Sequence, residues 1–361
     1  MVYGLPYQGS KNIIAERIVA TLPSGDNFVD CCCGGGAVLQ AAVLSGKYKT
    51  VTGYDINKAI IGLIKATMID FDTIDYEHFP AVDRKTFYEA RERNSTLEDW
   101  LIRYTCSFGF KGLEYLWAEA RCENKMLMHN AIALPTIEER RAALRELIGK
   151  IAKGKISEAD LKNLCHTEQL TNLNRFHEVE NTMKNRTTKT KLQVFCSSMF
   201  DIPFEKYDVI YFDPPYDNTL GYNRQPFSQI MFKTLLNVLV NSGKKVFVSE
   251  YKEPAPEFTE IASFNKSMSL EANKCKSVVE KVFYGGTKQE YEELPGITQQ
   301  PLDDSGSDSA VHDDTDGGAQ QAVPVGGEPQ EGSSGPTDCY WENDPEVQQA
   351  IDNLHTCYDL Q

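Results

Sequence analysis

The chain has 361 residues, ten cysteines and a formal net charge of −15. That length admits one large domain, or one domain carrying an insert. It contains no run of 18 apolar residues, so a membrane-spanning helix is not expected, and the cysteines form no Cys-x-x-Cys pair, which speaks against a zinc site or a disulfide scaffold. Three of them, Cys31, Cys32 and Cys33, are consecutive. A reduced, cytoplasmic protein is the simplest reading. The opening segment lacks the charged-then-apolar pattern of a signal peptide.

The charge is unevenly spread. Seventeen acidic residues and no Lys or Arg lie between Glu290 and Gln361, so the preceding chain carries 35 acidic and 37 basic residues and is nearly neutral.

The first 70 residues alternate in an α/β pattern. Residues 12–22 read as an amphipathic helix, 27–32 as a short apolar strand, and Gly34-Gly35-Gly36 as a turn into a helix over 37–44. A second strand covers 49–54 and ends at Asp55, and a further helix starts near Asn57. Such alternation predicts a parallel sheet.

Residues 71–191 change character, becoming helical and charged. Thr136-Ile-Glu-Glu139 is a capping box that opens a helix to about Lys153. Ser157-Glu-Ala-Asp160 is a weaker helix start. Strands return at 192–196, 209–212 and 245–249. The expected organisation is one α/β sheet domain, 1–70 and 192–289, split by a helical insert at 71–191. The remainder, 290–361, reads as an acidic tail. From Gly296 to about Pro336 it is rich in Gly, Ser, Asp, Gln and Pro, a composition expected to stay disordered. Beyond it, Asp344-Pro345 followed by Val347, Ile351 and Leu354 suits a short terminal helix.

Three segments carry candidate chemistry. Asp213-Pro214-Pro215-Tyr216 follows a predicted strand, and ligands in open α/β sheets sit at the carboxyl ends of strands. An amino group on an aromatic base is a poor nucleophile, because its lone pair is delocalised into the ring. The Asp213 carboxylate and the Pro214 carbonyl are acceptors for its two hydrogens, and Tyr216 can stack on a base taken out of a duplex. A proline-rich turn with a solvated aspartate would look the same. The second segment, Phe28-Val-Asp-Cys-Cys-Cys-Gly-Gly-Gly-Ala-Val38, is a strand–turn–helix whose glycines let the backbone approach a ligand. Asp55 stands about 20 residues on, where an acidic side chain commonly binds ribose hydroxyls, although it can equally cap the helix that follows. The third, Leu5-Pro-Tyr-Gln-Gly-Ser-Lys11, is by itself a polar loop before a helix.

Taken together, Tyr7-x-Gly9-x-Lys11, the Phe28-Val-Asp30 strand with its glycine turn, the strand ending in Asp55 and Asp213-Pro-Pro-Tyr216 resemble the Dam-type DNA adenine methylases. The phage and prophage branch is the most similar. Cys106-Ser-Phe-Gly109 with Tyr115-Leu-Trp117, His129-Asn-Ala-Ile132, Val246 to Tyr251 and Val279 to Phe283 extend the likeness over about residues 3–285.

The resemblance implies a Rossmann-like sheet that takes S-adenosyl-L-methionine and methylates the 6-amino group of adenine at specific sites in double-stranded DNA. Tyr7 and Lys11 would contact the cofactor, Asp30 and Gly34 to Gly36 would form its loop, and Asp55 would hold its ribose. Asp213, Pro214, Pro215 and Tyr216 would hold the target adenine, with Asp213 also near the methyl donor. The insert would be the target-recognition region. Within it Lys184, Arg186 and Lys189, with Lys191 just beyond the last of them, form a cluster without acidic neighbours, suited to phosphates or merely a solvated helix end. Residues 218–227, with Tyr222 and Arg224, suit a loop closing over a flipped base.

Two departures stand out. Cys31-Cys32 occupies a place where the family often has Pro-Phe, and Ser197-Ser198 one where it often has Gly-Asp. Other readings are a catalytically weak or inactive DNA-binding relative acting by occupancy, an amino-methyltransferase for cytosine or RNA, and an interaction protein engaged through its acidic tail. No metal, membrane or obligate protein partner is expected. A monomer in the cytoplasm of a bacterial or phage-infected cell is the default.

Overall fold

The computed structural model describes residues 1–156, 164, 167–215, 227–271 and 274–297, without the side chains of 266–278. The weaker helix start at Ser157, the residues Tyr216, Tyr222 and Arg224, and the terminal-helix segment near 344–354 lie outside the described residues.

Among the described residues seven strands make one sheet: β1 (Asn27–Asp30), β2 (Thr50–Asp55), β3 (Lys191–Cys196), β4 (Val209–Phe212), β5 (Lys245–Glu250), β6 (Phe258–Glu271) and β7 (Lys274–Gly285). Their order is β3-β2-β1-β4-β5-β7-β6. The first five run parallel. β7 enters antiparallel between β5 and β6. This is a Rossmann-like sheet, doubly wound from its centre.

The helices follow from the strand sequences. β4 is a continuous apolar run, and β1 is apolar at its two central residues, Phe28 and Val29, because both faces are covered. Phe28, Val209, Tyr211 and Phe247 face one core, while Val29, Ile210, Phe212, Val246 and Val248 face the other. The alternation is the two-residue period of a strand with two buried faces. The first core is closed by α1 (Ala15–Thr21), α2 (Ala37–Ser45) and α3 (Lys58–Met68).

The helical insert joins that same core. It contains α4 (Arg84–Arg93), α5 (Leu97–Thr105), α6 (Glu119–Ala133), α7 (Ile137–Ala152) and α8 (Glu168–Lys184). Phe87, Tyr104 and Phe176 from it are fully buried with Phe28 of β1 and Ile64 of α3. The capping box read at Thr136 and Glu139 opens α7. The second core is closed by α9 (Gln229–Asn241) through Phe232, Leu236 and Leu239, one helical stripe.

Two stretches differ from the sequence expectation. β6 falls where no strand was read. Its Thr259, Glu260, Ser263 and Asn265 are the polar residues of an edge strand with a solvated side. The packed chain also runs past residue 289 into the segment read as tail. A short helix, α10 (Lys288–Glu292), opens on a Thr287–Glu290 capping box. Tyr291 then donates its hydroxyl to the Thr21 carbonyl at 2.9 Å, Leu294 packs on the core, and Ser24 N–H donates to the Pro295 carbonyl at 2.8 Å.

The chain leaves β1 toward β2 and β3 on one side, whereas β4 and β5 lie on the other. The crevice at the carboxyl ends of β1 and β4 is therefore a topological switch point, where open α/β sheets bind ligands.

Candidate active site

A cavity of about 420 Å³ opens at that switch point, and Tyr7, Lys11, Asp30, Gly34, Asp55 and Asp213 all line it. Residues far apart in sequence meet there because each stands at, or just beyond, the carboxyl end of a strand or in the loop laid over those ends.

The glycine turn makes the floor. Gly36 has φ +75° and serves as the N-cap position of α2, a left-handed conformation suited to glycine. At Gly35 the constraint is space, because a Cβ would stand 2.6 Å from the Leu5 carbonyl oxygen and 2.8 Å from Tyr7 Cβ. The loop before α1 is thereby pressed against the turn, and Leu5 N–H donates to the Gly35 carbonyl at 2.8 Å.

Asp55 ties the end of β2 to this turn. Its carboxylate accepts from Gly34 N–H at 3.0 Å and Asn57 N–H at 2.8 Å. Burial pushes its carboxyl up from the ordinary range, and the backbone donors oppose that shift. Asn57, not Asp55, caps α3, since its side chain accepts from Ala59 N–H. The Asn57 amide also donates to the Tyr104 hydroxyl at 2.7 Å and to the Tyr7 hydroxyl at 3.4 Å. Tyr7 is held in this way over the glycine turn.

Asp30 is 2% exposed. Cys32 N–H donates to it at 3.3 Å. Burial first, and then the nearby charge of Asp213, push its carboxyl well above the usual range. Cys31 is buried in the second core and Cys32 lines the cavity, half-buried. Burial raises both thiols, which keeps them protonated. Ser198 takes a local role, accepting from Phe200 N–H at 3.3 Å, and Phe200 and Ile56 supply apolar wall.

Lys11 is 4% exposed. Its ammonium lies 2.6 Å from both carboxylate oxygens of Asp213 and 3.6 Å from Glu280 Oε1. Pro214 and Pro215 follow Asp213 along the cavity wall. Sequence reasoning assigned no role to Glu280 or Tyr251, which also line the cavity. A signal for Glu280 was present. It keeps the two-residue phase of the core-facing Val282 and Tyr284, so a carboxylate stands where the strand pattern calls for an apolar side chain.

Residues 7–275 match the family model of the D12 class N6 adenine-specific DNA methyltransferases. The chain belongs to that family. Among solved structures it is similar to an rRNA methyltransferase, AviRa, of Streptomyces viridochromogenes, at 13% identity and a TM-score of 0.32, over 75% of this chain and 82% of that one. A methylase of Haemophilus influenzae is 11% identical, with a TM-score of 0.27, over 78% of this chain and 92% of that one. Comparison with curated proteins returns no match.

Members of such a family act on DNA, and the basic residues singled out for phosphate contact stand away from the cavity. Lys191 opens β3 and pairs in register with Thr50 at the start of β2, whereas Cys196 pairs with Asp55 at the cavity end. Five strand residues at about 3.3 Å each put some 17 Å between those ends. Lys184 is ion-paired with Asp72 at 2.5 Å, and the Arg186 guanidinium donates to the Met183 carbonyl. Lys189 lies exposed between them and β3. The cluster is thus brought to the amino-terminal end of the sheet, opposite the cavity. No described helix is long and apolar enough to cross a membrane.

Proposed function

We propose that this methyltransferase moves the methyl group of S-adenosylmethionine to the 6-amino group of adenine in double-stranded DNA, at a defined sequence. The observation that carries the reading is that the Asp213-Pro-Pro turn and the glycine turn open into one cavity.

The residues present fit the cofactor. The turn at Gly35 is a backbone cradle that a Cβ would fill. Asp30 is a buried carboxylate suited to a cationic group, Asp55 keeps acceptor capacity for ribose hydroxyls, and Ile56 and Phe200 offer apolar flanks to a purine. Bound there, S-adenosylmethionine supplies an electrophilic methyl group.

The chain supplies the nucleophile's environment. Asp213 and the Pro214 carbonyl accept the two amine hydrogens, which draws the nitrogen toward tetrahedral geometry and frees its lone pair. Positive charge develops on that nitrogen during transfer, and the Asp213 carboxylate on the cavity wall is a charge of the useful sign to meet it. The surplus amine proton then leaves through an Asp213 oxygen, which is partly open to solvent. Tyr216, next in sequence, is assigned the base-stacking role, and Tyr222 and Arg224 remain assigned to the loop over the base.

A base must leave the duplex to reach Asp213, so the DNA lies over the carboxyl edge of the sheet. Lys184, Arg186, Lys189 and Lys191 are accordingly not assigned to the contacts around the flipped base. The test is transfer from labelled cofactor to unmethylated DNA, followed by nucleoside analysis. Label in N6-methyladenine supports the reading, and label in a cytosine or in RNA alone contradicts it.

A further inference from the structure

We infer that Glu280 is a positioning residue that receives the Lys11 ammonium when Asp213 turns to the target amine. The inference rests on the role proposed for Asp213 above.

Asp213 cannot serve both partners equally well. Its two oxygens each stand 2.6 Å from Lys11 Nζ. A carboxylate gripped by an ammonium is a weakened acceptor, and the ammonium itself opposes positive charge growing on the amine nitrogen. Lys11 must loosen its hold for the Asp213 charge to act on the base. Yet Lys11 is 4% exposed, and a buried ammonium without a counter-charge is strongly disfavoured.

Glu280 resolves the conflict. It is 1% exposed, on β7, and its Oε1 is already 3.6 Å from Lys11 Nζ. About 1 Å of travel by the end of a flexible side chain exchanges one carboxylate for the other. Glu280 also lines the cavity, together with Tyr251 and Asp213. With two carboxylates sharing one ammonium, this part of the site keeps a net negative charge to meet the cationic transition state. A Gln at 280 retains shape and hydrogen bonding but cannot pair with the displaced ammonium.

The test uses full-length protein, wild type against Glu280→Gln, Glu280→Asp and Lys11→Met. Single-turnover methyl transfer is measured at saturating S-adenosylmethionine on unmethylated DNA, with cofactor affinity by calorimetry and thermal midpoint alongside. Glu280→Gln is expected to slow transfer by roughly 10–100-fold, with cofactor affinity and thermal midpoint unchanged. Glu280→Asp should recover part of the rate. In the Lys11→Met background, where nothing is left to receive, Glu280→Gln should add little. A readout without turnover is a crystal with an unreactive cofactor analogue and an unmethylated oligonucleotide carrying the target site, that site being identified beforehand by sequencing DNA the enzyme has methylated; in it Lys11 Nζ should lie closer to Glu280 than to Asp213. Wild-type activity with a full-rate Glu280→Gln, or Lys11 still on Asp213 in that complex, overturns the positioning role alone. A wild type that makes no N6-methyladenine removes the preceding reading and this one with it.

Discussion

Lys11 and Asp213, 202 residues apart in sequence, form an ion pair in which the ammonium is 2.6 Å from each carboxylate oxygen. The pair joins the polar loop before α1 to the turn after β4, so the two segments that looked least alike in the sequence share one charge balance. Glu280 stands at its edge.

Lys11→Met should therefore destabilise the fold. It leaves one nearly buried carboxylate and one partly open carboxylate without their shared counter-charge. The expected loss is about 2–4 kcal/mol, at or just below the cost of breaking a buried pair because Asp213 is partly solvated. The double variant Lys11→Met/Glu280→Gln should regain part of it. Chemical denaturation of the three proteins measures both effects.

Asp30→Asn should stabilise the protein while weakening cofactor binding. The Asp30 carboxyl is raised above its ordinary 3.8, chiefly by burial and next by Asp213. A raised folded-state value means that the native protein holds the proton to higher pH than the unfolded chain. Its stability contribution is fully present below 3.8 and is lost as pH rises through the raised value. The Asn variant has no such loss, so its advantage should appear at neutral pH and vanish in acid. Melts across pH measure that difference, and calorimetry should show a weaker cofactor complex. Equal stability of the two proteins at neutral pH would mean that the Asp30 charge is compensated.

Gly35→Ala tests the cradle. The added methyl meets a backbone carbonyl at 2.6 Å, and such a contact is relieved only by moving the loop that carries Tyr7 and Lys11. A destabilisation of about 1–3 kcal/mol is expected, together with a loss of cofactor affinity larger than that of a substitution outside the cavity. A variant with wild-type affinity would show that the loop accommodates the change.

What was legible in the sequence had local causes. The strand into the glycine turn, the Asp55 strand end and the capping box at Thr136 each rest on neighbours a few residues apart, and each appears in the fold. The choice between Asp55 and Asn57 as the cap of α3 needed the hydrogen bonds themselves. Features that depend on register were not legible. β6 is a polar edge strand without a strong apolar alternation. Glu280 reaches Lys11 only because β7 is inserted beside β5. Sequence proximity grouped Lys184, Arg186, Lys189 and Lys191, but it carries no information on which end of the sheet they occupy. That is set by β3 running parallel to β2.

The most direct test of the account compares wild type and Asp213→Ala for cofactor binding and for formation of N6-methyladenine in unmethylated DNA. The account predicts N6-methyladenine from the wild type, none above background from Asp213→Ala, and retention of most of the cofactor affinity in the variant, because Asp213 acts on the target amine. Turnover by Asp213→Ala near the wild-type rate would contradict it.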